Sequence, residues 1–127
     1  MTDGRAETGK RGEDEACRYL KELGHDIVAR NWRSSHLELD VVSLKGNGLH
    51  IVEVKSRTAP VMADPELNVT WKKQKRLVSA AKAFMASEER RALPLDLEVF
   101  FDVVTVVFDG TDFEVEYYPQ AFIPIYA

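Results

Sequence analysis

Polar and apolar residues along this chain follow two periods, and the places where one period gives way to the other mark out its elements. From Glu7 to Leu23, Ala16, Cys17, Leu20 and Leu23 recur at helical spacing and Gly24 follows as a stop, which predicts a first helix. Ile27 to Trp32 reads as a short strand. Leu37 to Leu44 sets Leu37, Leu39 and Val41 against Glu38, Asp40 and Val42, the period-two alternation of a strand. Lys45-Gly46-Asn47-Gly48 predicts a tight turn, since two glycines and an asparagine tolerate positive φ, and Leu49 to Arg57 completes a hairpin. Thr58 to Val69, with Pro60 and Pro65, reads as a loop. Thr70 is the expected N-cap of a second amphipathic helix running to Met85, whose apolar set is Leu77, Val78, Ala81, Phe84 and Met85. Leu97 to Val107 and Phe113 to Tyr118 are the last two strands, parted by Asp109-Gly110. The predicted order is αβββαββ.

The hairpin decides which side chains meet. If Leu44 pairs with Leu49 across Gly46-Asn47, Asp40 falls opposite Glu53 and Glu38 opposite Lys55. If the turn is Asn47-Gly48, Asp40 falls opposite Lys55 and Glu53 is its diagonal neighbour. Both registers put Asp40, Glu53 and Lys55 on one face, because strand side chains alternate with period two. Only an odd loop or a bulge separates them.

Bulk properties narrow the setting. At 127 residues, one domain spanning residues 1–127 is expected, and 45% hydrophobic with 30% charged residues is an ordinary globular composition. Residues 1–10 contain no apolar stretch, and the longest nonpolar run, Val99 to Phe108, is strand-length, so neither a signal peptide nor a membrane span is expected. The single cysteine, Cys17, excludes an internal disulfide and reads as a small core residue; a cytoplasmic setting is the simplest expectation. Net charge is −4, a weak argument against nucleic acid. Seven acids and no Lys or Arg lie in residues 92–127, however, which leaves residues 1–91 with a balance of +3. Any ionic contact with phosphate belongs to the first two-thirds.

Two carboxylates held together in a sheet need a compensating cation. Lys55 supplies one, and a divalent ion such as Mg²⁺ supplies another: it takes one or two carboxylate oxygens and completes its shell with water and substrate phosphate. A lone Glu-x-Lys is usually a solvated pair, and Asp40 on the same face shifts the balance toward a site. Glu13 lies on the apolar stripe of the first helix and faces the sheet, either as an outer metal ligand or a group that orients water, or as a surface acid near the helix's N-terminal end.

The triplets Glu38-Leu39-Asp40 and Glu53-Val54-Lys55 resemble the split motif of the PD-(D/E)XK nuclease superfamily, which includes restriction endonucleases and archaeal Holliday junction resolvases. Over nearly the whole chain, Gly12-Glu13, Arg30-Asn31-Trp32-Arg33, Glu38-Leu39-Asp40, Val52 to Arg57, Lys73 to Leu77 and Phe101 to Val104 resemble, in order, the bacterial YraN family of nuclease-like proteins. Two positions depart from that family's pattern: Leu37 stands where it usually has glycine, and Phe100 where it usually has arginine.

The resemblance implies a restriction-endonuclease-like α/β fold, a mixed central β-sheet flanked by helices. It also implies a phosphodiesterase using Mg²⁺ or Mn²⁺, with DNA favoured as substrate, branched or flapped forms included. Asp40, Glu53 and Glu13 are the expected metal ligands and Lys55 the catalytic cation. Lys72, Lys73, Lys75 and Arg76, with Lys82 beyond, form a basic helix face beside this site; Arg30, Arg33 and Arg57 extend it toward nucleic acid. Trp32 and Trp71 are either core aromatics or stacking platforms for bases. His25, His36 and His50 have no ligand spacing, and Asp102 is either a further acid of the site or an edge-facing or capping residue. Resolvase-like nucleases often act as dimers, so a homodimer is a possible assembly although no interface signature stands out. Two other readings compete: a non-catalytic nucleic-acid-binding module on the same scaffold, and an interaction domain using the acidic Asp112, Glu114 and Glu116.

Overall fold

The computed structural model describes residues 4–61 and 69–124. Its elements are α1 (Gly4–Glu22), β1 (Asp26–Ser34), β2 (Leu37–Lys45), β3 (Gly48–Thr58), α2 (Trp71–Met85), α3 (Glu88–Arg91), β4 (Glu98–Asp109) and β5 (Asp112–Phe122). Every expected element is present, with ends that differ by a few residues. Of the expected loop Thr58 to Val69, residues 62–68 lie outside the described residues.

The short α3 was not legible in the hydrophobic pattern, because it buries no residue and therefore has no apolar face to repeat. It ends where Arg90 Nη1 donates to the carbonyls of Leu93 (3.2 Å) and Pro94 (2.7 Å) and Nη2 to that of Leu95 (2.9 Å). By contrast, α2 begins as its sequence predicts. Thr70 Oγ1 accepts the Lys73 N–H at 3.2 Å, satisfying one of the helix's orphan donors.

The five strands lie in the order β1-β2-β3-β4-β5, with β3 and β4 parallel and the other pairs antiparallel. A helix covers each face, as the resemblance implied. Beneath α2, Leu77, Ala80, Ala81 and Phe84 pack on Leu39, Val42, Leu49, Ile51, Phe101 and Val103. Beneath α1, Ala16, Cys17 and Leu20 pack on Val41, Val52, Val104, Val106 and Phe108. Coverage of both faces explains the near-continuous apolar run of β4, since a strand buried on two sides has no polar face to show. Trp32 sets its ring edge-on to Phe84 at 5.4 Å, so of the two readings of that residue the core one holds. Among the described residues no helix is long and apolar enough to cross a membrane.

The turn resolves the choice of register. Leu44 pairs with Leu49 and Lys45 with Gly48, so Gly46 and Asn47 form the turn, with Gly46 at φ +57°. Ladder pairing between β2 and β3 stops at Val41 and Val52, one step short of Asp40 and Glu53.

Helix α1 closes on β3 at Gly12. A Cβ built there would lie 1.7 Å from Ser56 Oγ and 2.8 Å from Ser56 Cβ, so only glycine lets the helix sit this close. Gly9, one turn earlier, has nothing within 4 Å of such an atom. Gly12→Ala is expected to destabilise the protein by about 1–3 kcal/mol through overpacking. In the same urea titrations Gly9→Ala gains about 0.5–1 kcal/mol of helix propensity. Equal effects at the two positions would show that the helix is not seated on Ser56.

Candidate functional site

Where β2 and β3 part, a side chain takes over from the backbone. Asp40 Oδ2 accepts the N–H of Val54 at 3.0 Å, filling with a carboxylate the place of a ladder carbonyl. The facing of β2 also changes here: Leu39 packs in the core beneath α2, whereas Val41, two residues on, packs beneath α1. Asp40 thus sits at the crossing between the two faces. Burial, followed by the negative charge of Glu53, pushes its carboxyl up to about 7, against the opposing pull of the Val54 N–H.

Glu53 is buried, and Lys73 from α2 reaches it with Nζ 2.5 Å from Oε1. This ammonium also favours ionisation of Asp40, so it acts as counter-ion to both acids. The sequence reading placed Lys73 on a phosphate-facing surface; the structure ties it instead to the acid pair. Lys55, two residues from Glu53 on a stretch of β3 that pairs regularly with β4, shares its face.

Glu13 faces the sheet as its place on the α1 stripe predicted, and its Oε1 accepts from Arg30 Nε at 2.8 Å and Asn31 Nδ2 at 2.9 Å. Neighbouring strand residues ordinarily face opposite sides. Asn31 is at φ +50°, a left-handed conformation that interrupts the pleat and accompanies the shared contact. Arg30 Nη2 also donates to Asp14 Oδ1 at 2.6 Å, holding that carboxyl below the usual range. A cleft of about 1170 Å³ opens on the α1 face of the sheet, lined by Lys10 and Glu13 of α1 and by Arg30, Asn31, Asp40, Ser56 and Arg57 of the strands; Asp40 reaches it, whereas Glu53 and Lys73 meet on the α2 face.

Among the described residues no three His, Cys, Asp or Glu side chains gather closely enough to hold a metal ion. The pair Asp40 and Glu53 is the acidic centre, while Glu13 is engaged by Arg30 and Asn31. Two carboxylates with a charge deficit suit a hard divalent cation that keeps much of its shell as water: such an ion would favour the ionised form that Glu53 now disfavours in Asp40.

The other basic residues divide in two. Arg33 pairs with Glu38 at 3.6 Å and stays largely exposed, whereas Arg30 is engaged by Glu13 and Asp14. Lys72, Lys75 and Arg76 on α2 and Arg57 at the end of β3 are exposed. Lys10 and Ser56 were not singled out from sequence; they share the cleft because α1 and β3 touch at Gly12, a contact with no signature in periodicity.

Asp102 supplies a contrast. It is buried in the middle of β4, neither edge-facing nor capping, and accepts from His50 Nδ1 (2.6 Å), Tyr117 Oη (2.5 Å) and the Gln120 N–H (2.9 Å). Burial alone would raise its carboxyl, yet these donors outweigh it and leave the group below its ordinary value. His25 joins the same network: its ring lies edge-on to His50 at 4.6 Å, and its Nδ1 is 2.9 Å from Ser43 Oγ. Burial, then the neighbouring His50, lowers the His25 pKa. Asp102 is a structural acid with satisfied oxygens, and Asp40 is an acid whose charge is opposed.

The chain has clear relatives. The model of the Uncharacterised protein family UPF0102 matches residues 12–106, a span that contains Glu13, Asp40, Glu53, Lys55, Lys73 and Asp102. A UPF0102 protein of Bacteroides thetaiotaomicron is 43% identical over 118 residues, 93% of each chain. One from Nitratidesulfovibrio vulgaris is 39% identical over 122 residues, 96% of this chain and 88% of the relative. Another, from Flavobacterium psychrophilum, is 34% identical over 114 residues, 90% and 92% of the respective chains.

Asp40 can be tested without any ligand. Its carboxyl ionises near 3.8 in a model peptide and at about 7 in the fold, so between those values the folded state holds more protons than the unfolded chain. Its contribution to stability is therefore full below the lower value and is lost as pH rises through the window. In metal-free protein Asp40→Asn keeps an acceptor for Val54 and carries no charge. It is expected to equal or trail the wild type at about pH 4 and to exceed it by on the order of 1 kcal/mol at about pH 8. Urea melts at matched ionic strength measure this, and a stability difference independent of pH would contradict an opposed buried acid at position 40.

Proposed function

The chain belongs to the UPF0102 family, and from that premise and the geometry around Asp40 we propose that it is a divalent-metal-dependent phosphodiesterase acting on nucleic acid, with DNA favoured. The observation that carries this reading is the apposition of half-buried Asp40, opposed in its charge, and buried Glu53, with a lysine ammonium against Glu53 and an open cleft that Asp40 lines. Purely structural acids collect donors until both oxygens are satisfied, as Asp102 does. Asp40 has one such donor, the Val54 N–H, and its charge is opposed by Glu53, which suits it to a further cation.

Asp40 and Glu53 would hold Mg²⁺ or Mn²⁺, with Glu13 orienting water from the cleft wall. When bound, such an ion lowers the pKa of water and polarises a phosphoryl group. Lys55 neutralises charge that develops on the phosphate as water adds to phosphorus and a P–O ester bond breaks. Lys72, Lys75 and Arg76 on α2, and Arg57 and Lys10 at the cleft, contact the phosphates of the bound strand on either side. Arg30 acts at one remove, positioning Glu13 and Asp14. A cytoplasmic setting accords with these partners, and a homodimer would suit a two-fold symmetric branched substrate.

A second reading has an observation of its own. Lys73 already neutralises Glu53, and among the described residues no third acid joins the pair, an arrangement that also suits a module which binds nucleic acid without cutting it. Calorimetry separates the two. Tight Mn²⁺ binding lost in Glu53→Gln supports the enzyme; salt-sensitive DNA binding with no metal uptake supports the module.

For the enzyme, Asp40→Asn and Glu53→Gln are each expected to lower cleavage of a nucleic-acid panel by about 100-fold or more with the circular dichroism unchanged. Glu13→Gln costs less, about 10- to 100-fold, because it acts on water and not on the ion directly. Undiminished cleavage in the first two variants refutes the assignment.

A further inference from the structure

The two tryptophans differ in a way that bears on which nucleic acid is bound. Trp32 is packed against Phe84 in the core beneath α2. Trp71, at the first position of α2, is 52% exposed. An indole left in water at a helix start forgoes burial that a core position would supply. Its surroundings are cationic: Lys72, Lys73 and Lys75 lie within the same turn, and Lys75 Nζ stands 5.2 Å from the ring centroid. Two residues on, Lys73 touches Glu53. Residues two apart lie on opposite sides of a helix, so the ring points away from the Lys73–Glu53 contact and is held by Lys75 on the exposed cationic side of α2.

We propose that Trp71 is a stacking platform for an unpaired base of a strand lying along the cationic outer side of α2, so that the substrate is single-stranded nucleic acid or the single-stranded arm of a flap or branch. This rests on the phosphodiester reading above. Aromatic stacking beside a line of cations is the recognition mode for unpaired bases, because an indole engages a base face only when that face is not already covered by its neighbour in a duplex. An ammonium on one face of the ring fixes its orientation and leaves the ring's other face as the one for a base. In a duplex the same helix would meet phosphates alone, and the indole would contribute nothing. The exposed lysines supply affinity for any nucleic acid, and Trp71 supplies the preference for unpaired bases.

Fluorescence anisotropy in EDTA tests this on the full chain without cleavage. The probes are a labelled oligothymidine of about 20 nucleotides, a mixed-sequence duplex of equal length, and that duplex carrying a 5′ single-stranded flap. The wild type should bind the single strand and the flap more tightly than the duplex. Trp71→Ala should weaken the first two on the order of 10-fold while duplex affinity changes less than about twofold, and Trp71→Phe should restore most of the loss. Unchanged affinity of Trp71→Ala for the single strand, or equal loss on all three probes, overturns the platform and leaves the phosphodiesterase reading standing. Failure of the wild type to bind any probe, in EDTA and again with Ca²⁺ in its place, overturns both.

Discussion

One hydrogen bond, from the Val54 N–H to the Asp40 carboxylate, explains most of what is unusual in this sheet. Strands β2 and β3 are paired from the turn to Val41 and Val52 and then separate. A strand that leaves its partner exposes backbone donors, and a donor left unpaired in a protein interior costs about 1–3 kcal/mol. Asp40 meets the Val54 donor with its side chain, and in doing so is fixed next to Glu53. The separation that opens the cleft and the proximity that opposes the Asp40 charge are consequences of the same local geometry. Lys73 is then required to balance the acids, which ties the placement of α2 to the state of the site.

The sequence revealed much of this for identifiable reasons. Both helices announce themselves because each buries a single stripe, and Thr70 marks the start of α2 by capping it. Gly46-Asn47 determines the register, and with it the neighbourhood of Asp40 and Glu53. Helical spacing to Ala16, Cys17 and Leu20 also placed Glu13 on the inner side of α1. Other features were hidden because they arise from contacts between distant segments. Neither the engagement of Lys73 by Glu53, nor the commitment of Arg30 to Glu13 and Asp14, has a spacing that distinguishes it from a solvated basic residue. The left-handed Asn31 interrupts the pleat of β1, a backbone feature that the hydrophobic pattern does not register.

The polar network around Asp102 shows how the rest of the sheet tolerates buried charge. Pairing between β4 and β5 is irregular between Phe101 and Val103, and there the carboxylate takes the Gln120 N–H, as Asp40 takes that of Val54 at the other break. The two positions use one device for opposite ends. At Asp102, His50 and Tyr117 complete the oxygens, and Phe100 stacks on the His50 ring at 5.1 Å, occupying with an aromatic the position where the YraN-like pattern usually has arginine. His50 shares the α1 face of β3 with Ser56 but lies at the other end of the strand, and none of His50, Asp102 and Tyr117 lines the cleft, so this network stabilises the sheet apart from it.

The order of the chain gives the carboxylate pair a history during folding. Its two acids come from a hairpin closed by a short turn, a local structure that forms within microseconds. Lys73 and the parallel partner β4 arrive only after the crossover from Thr58 to Glu98 has wound back over the sheet, and the closure entropy of that long excursion makes it slow. Until then the nascent hairpin holds its two acids without the Lys73 ammonium, so the docking of α2 is drawn by electrostatic attraction as well as by the burial of Leu77 and Phe84.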